Sequence, residues 1–140
     1  MATAILASML LQHGHESLVE VSSAGIWASE GQPATAPAQK VMDERGLDVS
    51  DHKAHHLVPE DVDAADLIVT MERSIAEAIT IEAPEHAAKV VTLRELADDP
   101  GDVEDPIGGS LAEYRHAAVT LQSLLHRAYR RILCRLGIPI

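Results

Sequence analysis

Two short apolar runs separated by a helical segment constrain the fold of this chain most strongly. Residues 66–71 read DLIVTM, and residues 89–93 read KVVTL. The first run is continuously apolar, which is typical of a strand covered on both faces. Residues 74–82 between them are predicted to form a helix, and a crossover of this kind joins parallel strands. The sequence therefore predicts an α/β fold with a parallel sheet flanked by helices.

The segments before this unit predict two more helices and a third strand. Apolar residues at helical spacing begin at Ala2 and predict a helix that ends at His13-Gly14. Residues 18–22 (LVEVS) are predicted to form a strand. Residues 35–45 are predicted to form a helix that ends at Gly46, with Leu47 placed for the apolar contact that accompanies such a cap.

The last helix has the clearest pattern in the chain. Ser110 and Glu113 match a capping box at its start, and Gly137 follows its end. Between them, apolar residues recur at spacings of three and four and predict one buried face: Leu111, Tyr114, Ala118, Leu121, Leu125, Ala128 and Ile132.

Bulk properties exclude several classes of function. The length of 140 residues predicts a single domain over residues 1–140. A net charge of −11 argues against nucleic-acid binding and against a polybasic membrane anchor. No apolar run approaches the ~18 residues that cross a bilayer. The single cysteine, Cys134, excludes an internal disulfide and favours the cytoplasm.

The segment EDPIGGS places Asp105 on a short loop of proline and glycine just before the last helix. A carboxylic acid held in this way suits a general acid, although Asp-Pro is also a common turn pair. In doubly wound folds the first helix normally follows a strand whose carboxyl end binds the ligand. Here a helix opens the chain and three strands are predicted, so the sheet is expected to be one strand short.

Four separated segments carry a resemblance to a known family. VSSAGIWASEGQPATAPA, DHKAHH, DLIVTMERS and EDPIGGSLAEYR, in this order, resemble the bacterial low-molecular-weight protein tyrosine phosphatases. The resemblance covers essentially the whole chain. It implies a three-layer sandwich of the phosphotyrosine protein phosphatase I type, missing its first, central strand. That strand and the C-x5-R-[ST] phosphate-binding loop would precede the helix that begins MATAIL.

The resemblance also implies roles for individual residues and a phosphotyrosine protein as the substrate. Asp105 would protonate the departing phenolate oxygen and then activate the water that hydrolyses a phosphocysteine. Trp27 would flank the aromatic substrate, although it could instead fill the core. Ile107 would occupy a substrate-facing position that is aromatic in many bacterial relatives. An aliphatic residue there would weaken stacking on the phosphotyrosine ring from that side. His55 stands where an arginine is common. No cofactor is implied.

The chain as written lacks the partners that Asp105 needs. Cys134 is followed directly by Arg135, no arginine lies six positions after it, and it is expected to be a small buried residue. The 140-residue polypeptide is therefore expected to be inactive and to aggregate. Either it is the body of a phosphatase whose start was assigned to an internal methionine, or it is a non-catalytic remnant or interaction module.

The first of these alternatives is favoured because the strand segments keep apolar faces that a chain evolved without the central strand should have lost. Arsenate reduction on the same scaffold needs further thiols and is disfavoured. No metal site is predicted, because His52, His55 and His56 lack a second pair of ligands. A cluster of acidic residues is expected to form a solvated loop, since its spacing does not match an EF-hand: Asp98, Asp99, Asp102, Glu104 and Asp105.

Overall fold

The computed structural model describes residues 1–140, which form six α-helices, one 3-10 segment and two strands. The elements are α1 (Ala2–Gln12), α2 (Ala36–Glu44), α3 (Pro59–Ala64), β1 (Ile68–Thr70), α4 (Arg73–Glu82), the 3-10 segment Pro84–Lys89, β2 (Val90–Thr92), α5 (Leu93–Leu96) and α6 (Leu111–Arg135). They fall into two compact units. Unit 1 contains Met1–Leu57 and Pro106–Gln122, and unit 2 contains Val58–Asp105 and Ser123–Ile140.

Local capping signals explain both ends of α2 in unit 1, and the cap at Gly46 is the one predicted. The Thr35 hydroxyl accepts a hydrogen bond from the Ala38 N–H at 3.4 Å. At the other end Gly46 has φ +74°, and its N–H donates to the Asp43 carbonyl. The Leu47 N–H donates to the Met42 carbonyl at 2.8 Å. This pair of bonds is the Schellman motif, and its left-handed position favours glycine.

The sheet lies in unit 2 and confirms the predicted parallel pairing. β1 and β2 are parallel, with Ile68 opposite Val90 and Thr70 opposite Thr92. Helix α4 packs against both strands. The molecule is thus an α/β protein with a parallel sheet flanked by helices. Each strand is three residues long, shorter than the apolar run that predicted it.

The prediction of a strand at residues 18–22 is wrong. This segment has no strand assignment, and Leu18 is 61% exposed. Its alternating sequence suits a strand, but a strand is stabilised by backbone pairing with a neighbour. No backbone hydrogen bond joins residues 19–24 to another segment. Nearby, only isolated bridges form, between Gly25 and His56 and between Pro33 and Lys53.

Helix α6 confirms the predicted cap and buried face. The Ser110 hydroxyl accepts from the Glu113 N–H at 3.2 Å, and Gly137 ends the helix region with φ +73°. Six of the seven predicted inward residues are buried, and Leu111 is half-buried. The expectation of a buried Cys134 is wrong, because this thiol is exposed. Cys134 follows the buried Leu133 by one residue, a rotation of about 100° that carries it off the apolar face.

Each unit has its own buried side chains. Those of unit 1 come from α1, α2 and the first half of α6: Ile5, Met9, Leu10, Ala38, Val41, Met42, Tyr114, Ala117, Ala118 and Leu121. Those of unit 2 include Val62, Ile79, Val91, Leu93, Leu96, Val103, Leu125, Tyr129, Ile132 and Leu133. Neither set contains phenylalanine or tryptophan. No helix is both long enough and apolar enough to span a bilayer.

Candidate active-site residues

Asp105 is an exposed residue at the end of a well-anchored segment of unit 2. Two residues before it, Val103 is 5% exposed, and its N–H donates to the Met71 carbonyl at 2.9 Å. The Asp102 carboxylate accepts from the Arg73 N–H at 2.9 Å. The Arg94 Nε donates to the Asp102 carbonyl at 2.7 Å. The backbone leading to the carboxylic acid is therefore fixed at three points.

The turn that follows Asp105 begins the second segment of unit 1 and depends on its glycines. The Gly109 N–H donates to the Pro106 carbonyl at 2.8 Å, and Gly108 has φ +77°. A Cβ atom at Gly109 would lie 2.8 Å from the Pro106 carbonyl oxygen, closer than side chains approach backbone. Ile107 at the tip of this turn is 70% exposed. The turn therefore presents an aliphatic side chain to solvent.

Trp27 lies at the tip of a loop in unit 1 whose two ends are hydrogen-bonded to residues 53–57. At one end Gly25 donates to the His55 carbonyl at 2.9 Å and accepts from the Leu57 N–H at 3.0 Å. At the other end the Gly31 N–H donates to the Ala54 carbonyl at 2.8 Å. Trp27 itself is 87% exposed, so the reading of this residue as a core side chain is wrong. An exposed indole on an anchored loop is available to contact a ligand.

Glu30 braces the loop that carries Trp27. Its Oε1 lies 2.9 Å from the His55 Nδ1 and also accepts a hydrogen bond from the His56 N–H. His55 is thus engaged with a carboxylate of its own unit. An exposed pair of this type contributes little to global stability. Its effect is local, because it joins the middle of the loop to the segment that holds both ends.

The acidic residues near Asp105 are exposed except for the half-buried Asp99, as predicted for a solvated loop, but three of them also have partners in unit 2. Asp99 pairs with Arg94 at 3.1 Å and with Arg127 at 3.2 Å. Asp98 pairs with Arg131 at 3.9 Å and has φ +58°, a left-handed conformation that aspartate tolerates better than most residues. These pairs hold the end of α5 to the second half of α6 within unit 2.

One group of potential metal ligands lies elsewhere in unit 2. Asp63, Glu85 and His86 place one ligand atom each within 4.8 Å of one another. The His86 Nε2 already lies 2.8 Å from the Asp63 carboxylate, so two of the three groups satisfy each other. The group does not include His52, His55 or His56.

The predicted site residues fall in both units. Asp105 belongs to unit 2, whereas Trp27 and Ile107 belong to unit 1. Sequence reasoning missed the supporting residues Glu30 and Asp102, because their partners lie 26 and 29 positions away along the chain. The sequence shows the acidic character of Asp102 but contains no signal that joins it to Arg73.

Comparison with known proteins gives a consistent result. The family model described as "Low molecular weight phosphotyrosine protein phosphatase" matches residues 1–133. A protein-arginine-phosphatase of Geobacillus stearothermophilus is 32% identical over 128 residues, covering 91% of this chain and 86% of that protein. A probable low-molecular-weight protein-tyrosine-phosphatase, EpsP, of Ralstonia nicotianae is 35% identical over 104 residues, covering 74% of this chain and 70% of that protein.

A solved structure extends the likeness from sequence to fold. The crystal structure of a low-molecular-weight protein tyrosine phosphatase from T. tengcongensis superposes with a TM-score of 0.86 and 36% sequence identity. The match covers 93% of this chain and 88% of that chain.

Proposed function

Because the chain belongs to the low-molecular-weight phosphotyrosine protein phosphatase family, we propose that it supplies the general acid, Asp105, for hydrolysis of a protein phosphotyrosine. The family acts on phosphorylated proteins. The observation that carries the assignment of Asp105 is its exposed position two residues after Val103, which is anchored together with Asp102. A general acid has to be accessible to substrate and fixed in place.

The proposed reaction has two steps that use the same carboxyl group. In the first, a cysteine thiolate attacks phosphorus, the P–O bond to the phenol breaks, and Asp105 gives its proton to the phenolate oxygen. In the second, the Asp105 carboxylate accepts a proton from water as the water oxygen bonds to phosphorus. The S–P bond then breaks, and inorganic phosphate and the thiolate are released.

The nucleophile and the phosphate-binding arginine of this scheme are not among the 140 residues. The sequence contains no C-x5-R motif, and the exposed Cys134 lies near the end of α6, followed directly by Arg135. We place these two groups on a strand and loop added ahead of α1, as the family pattern implies. A single reduced cysteine in these 140 residues is consistent with a cytoplasmic reaction.

Phosphoarginine is the second candidate substrate. Two relatives described as protein-arginine-phosphatases match 91% and 94% of the chain, whereas the EpsP match covers 74%. The aliphatic Ile107 gives no aromatic surface on which a phenol ring could stack. Trp27 does not separate the two candidates, because an indole stacks on a phenol ring and also on a guanidinium plane.

The test is to complete the site and measure turnover. The 140-residue polypeptide is compared with the same polypeptide preceded by a strand and a C-x5-R loop of the family pattern, here named the completed polypeptide. We expect hydrolysis of p-nitrophenyl phosphate only by the completed polypeptide, and none after its loop cysteine is changed to serine. Phosphotyrosine and phosphoarginine peptides then decide between the two substrates.

Two results would contradict this proposal. Turnover by the 140-residue polypeptide alone would mean that its own residues suffice for catalysis. A completed polypeptide that folds but hydrolyses neither peptide nor p-nitrophenyl phosphate would favour the alternative, a non-catalytic remnant or interaction module.

Replacing Trp27 by alanine in the completed polypeptide should weaken substrate binding without affecting the chemical step. We expect KM for a phosphotyrosine peptide to rise about 3- to 10-fold, because stacking of aromatic groups contributes about 0.5–1.5 kcal/mol. The value of kcat should stay within about twofold. Steady-state kinetics with the peptide and with inorganic phosphate as inhibitor measure this change. Trp27→Phe, which keeps an aromatic ring, is the matched control, and an unchanged KM in Trp27→Ala would exclude this contact.

A further inference from the structure

Helix α4 has an unusual cap that connects it to the segment before Asp105. Its N-cap residue, Glu72, makes no side-chain capping hydrogen bond. The first-turn N–H of Arg73 donates instead to the Asp102 carboxylate, which lies 29 positions further along the chain. Helix N-termini leave N–H groups without partners and favour negative charge, so a carboxylate at this position stabilises both the helix end and its own location.

The backbone of Asp102 is held independently of its side chain. The Arg94 Nε donates to the Asp102 carbonyl at 2.7 Å. The same guanidinium pairs with Asp99 through Nη1 at 3.1 Å, and the Arg94 side chain is only 22% exposed. Arg94 therefore holds both ends of the loop 99–102 at once. The planar guanidinium presents fixed donors to the two ends, which Arg127 at Asp99 and the Arg73 N–H at Asp102 also hold.

The next residue, Val103, completes the anchor. Its buried side chain and its bond to the Met71 carbonyl fix the backbone beside the end of β1. From Val103 to Asp105 the chain advances two residues, a reach of about 7 Å when extended. The location of the Asp105 carboxyl group is therefore limited by where Asp102 and Val103 are held.

From these contacts we infer that Asp102 is a positioning residue for the general acid, acting through the backbone on Asp105. The inference rests on the proposed function, because it assigns Asp102 a role in the same reaction. A general acid has to come within about 2.6–3.2 Å of the leaving oxygen, and a displacement of about 1 Å can lower the rate by 10²-fold. Loss of the Arg73–Asp102 bond removes one of the three contacts that hold the segment setting this distance.

The leaving group of the substrate distinguishes positioning of the acid from general damage to the fold. Phenyl phosphate expels a basic phenolate that needs a proton, whereas 2,4-dinitrophenyl phosphate expels an anion that leaves without one. The ratio kcat/KM reports formation of the phosphocysteine, the step in which the acid is used. A defect confined to the general acid therefore lowers kcat/KM for phenyl phosphate and leaves kcat/KM for 2,4-dinitrophenyl phosphate unchanged.

The experiment uses three variants of the completed polypeptide. Asp102→Ala should lower kcat/KM for phenyl phosphate about 10- to 100-fold and leave the dinitrophenyl ester within about twofold. Asp102→Asn keeps an oxygen that can accept from the Arg73 N–H, so it should retain most activity. Glu104→Gln removes one charge from the same exposed segment without touching the anchor and should behave as the parent. Thermal unfolding confirms that each variant is folded.

A second measurement tests the anchor without catalysis. In the completed polypeptide, Asp102→Ala should speed hydrogen exchange of the Arg73 amide at least about tenfold, because that amide loses its acceptor. Unchanged exchange would overturn the inference. So would an equal loss of kcat/KM for both esters, or no loss for either while Asp105→Asn keeps its defect. If Asp105→Asn itself has no effect, Asp105 is not the general acid, and the positioning role of Asp102 is excluded as well.

Discussion

Asp105→Asn in the completed polypeptide lowers kcat/KM for phenyl phosphate by about 10²–10⁴-fold, the usual contribution of general acid catalysis. Asparagine has nearly the shape of aspartate but has no carboxyl proton to give to the phenolate oxygen. The anchor formed by Asp102 and Val103 is unaffected by the change, so folding should be preserved. The loss should be much smaller for 2,4-dinitrophenyl phosphate, whose leaving group needs no proton. Steady-state kinetics with both esters measure the difference.

The control for this result is Glu104→Gln, which changes an exposed carboxylate directly beside Asp105. If both variants lose activity equally, the loss arises from the local charge of the segment. If Asp105→Asn retains full activity with phenyl phosphate, the general acid lies elsewhere in the protein. A loss confined to Asp105→Asn and to the poorer leaving group supports proton transfer from this residue.

Signals confined to one turn of the chain were predicted well. Gly46 after α2 and Ser110 before α6 are found where the sequence indicated. Each of these signals acts through a hydrogen bond or a backbone conformation within about four residues. The same type of signal was overlooked at α5, where Thr92 and Glu95 form a reciprocal capping box. Thr92 and Glu95 match the pattern T-x-x-E, which predicts a helix start at Thr92. The apolar residues 89–93 predict a strand through the same position, so the two signals overlap.

Features that depend on distant partners were predicted less well. Residues 18–22 have the composition of a strand, yet a strand requires a neighbour that composition alone does not supply. Likewise, only Ile68–Thr70 of the predicted strand 66–71 forms a strand, because only these residues pair with β2. The family pattern led to Asp105, but not to the residues that hold it. The bond between Arg73 and Asp102 joins residues 29 apart, and nothing local to either residue indicates it.

Leu10→Ala should destabilise the protein by about 2–5 kcal/mol, a large part of the ~5–15 kcal/mol that stabilises a typical domain. Leu10 is 2% exposed, and it lies on α1 beside the buried residues Ile5 and Met9. Alanine would remove buried methyl groups and leave a cavity. A helix of 11 residues is marginal by itself, so α1 depends on this packing. Urea unfolding followed by circular dichroism measures the change.

The adjacent residue supplies a matched control for this prediction. Leu11 is in the same helix but is 64% exposed, so Leu11→Ala removes the same atoms from a solvated position. We expect a change within about 0.5 kcal/mol, since alanine also has the higher helix propensity. Equal destabilisation by the two variants would contradict the burial of Leu10. A large difference between them would show that α1 is packed through the face that carries Leu10.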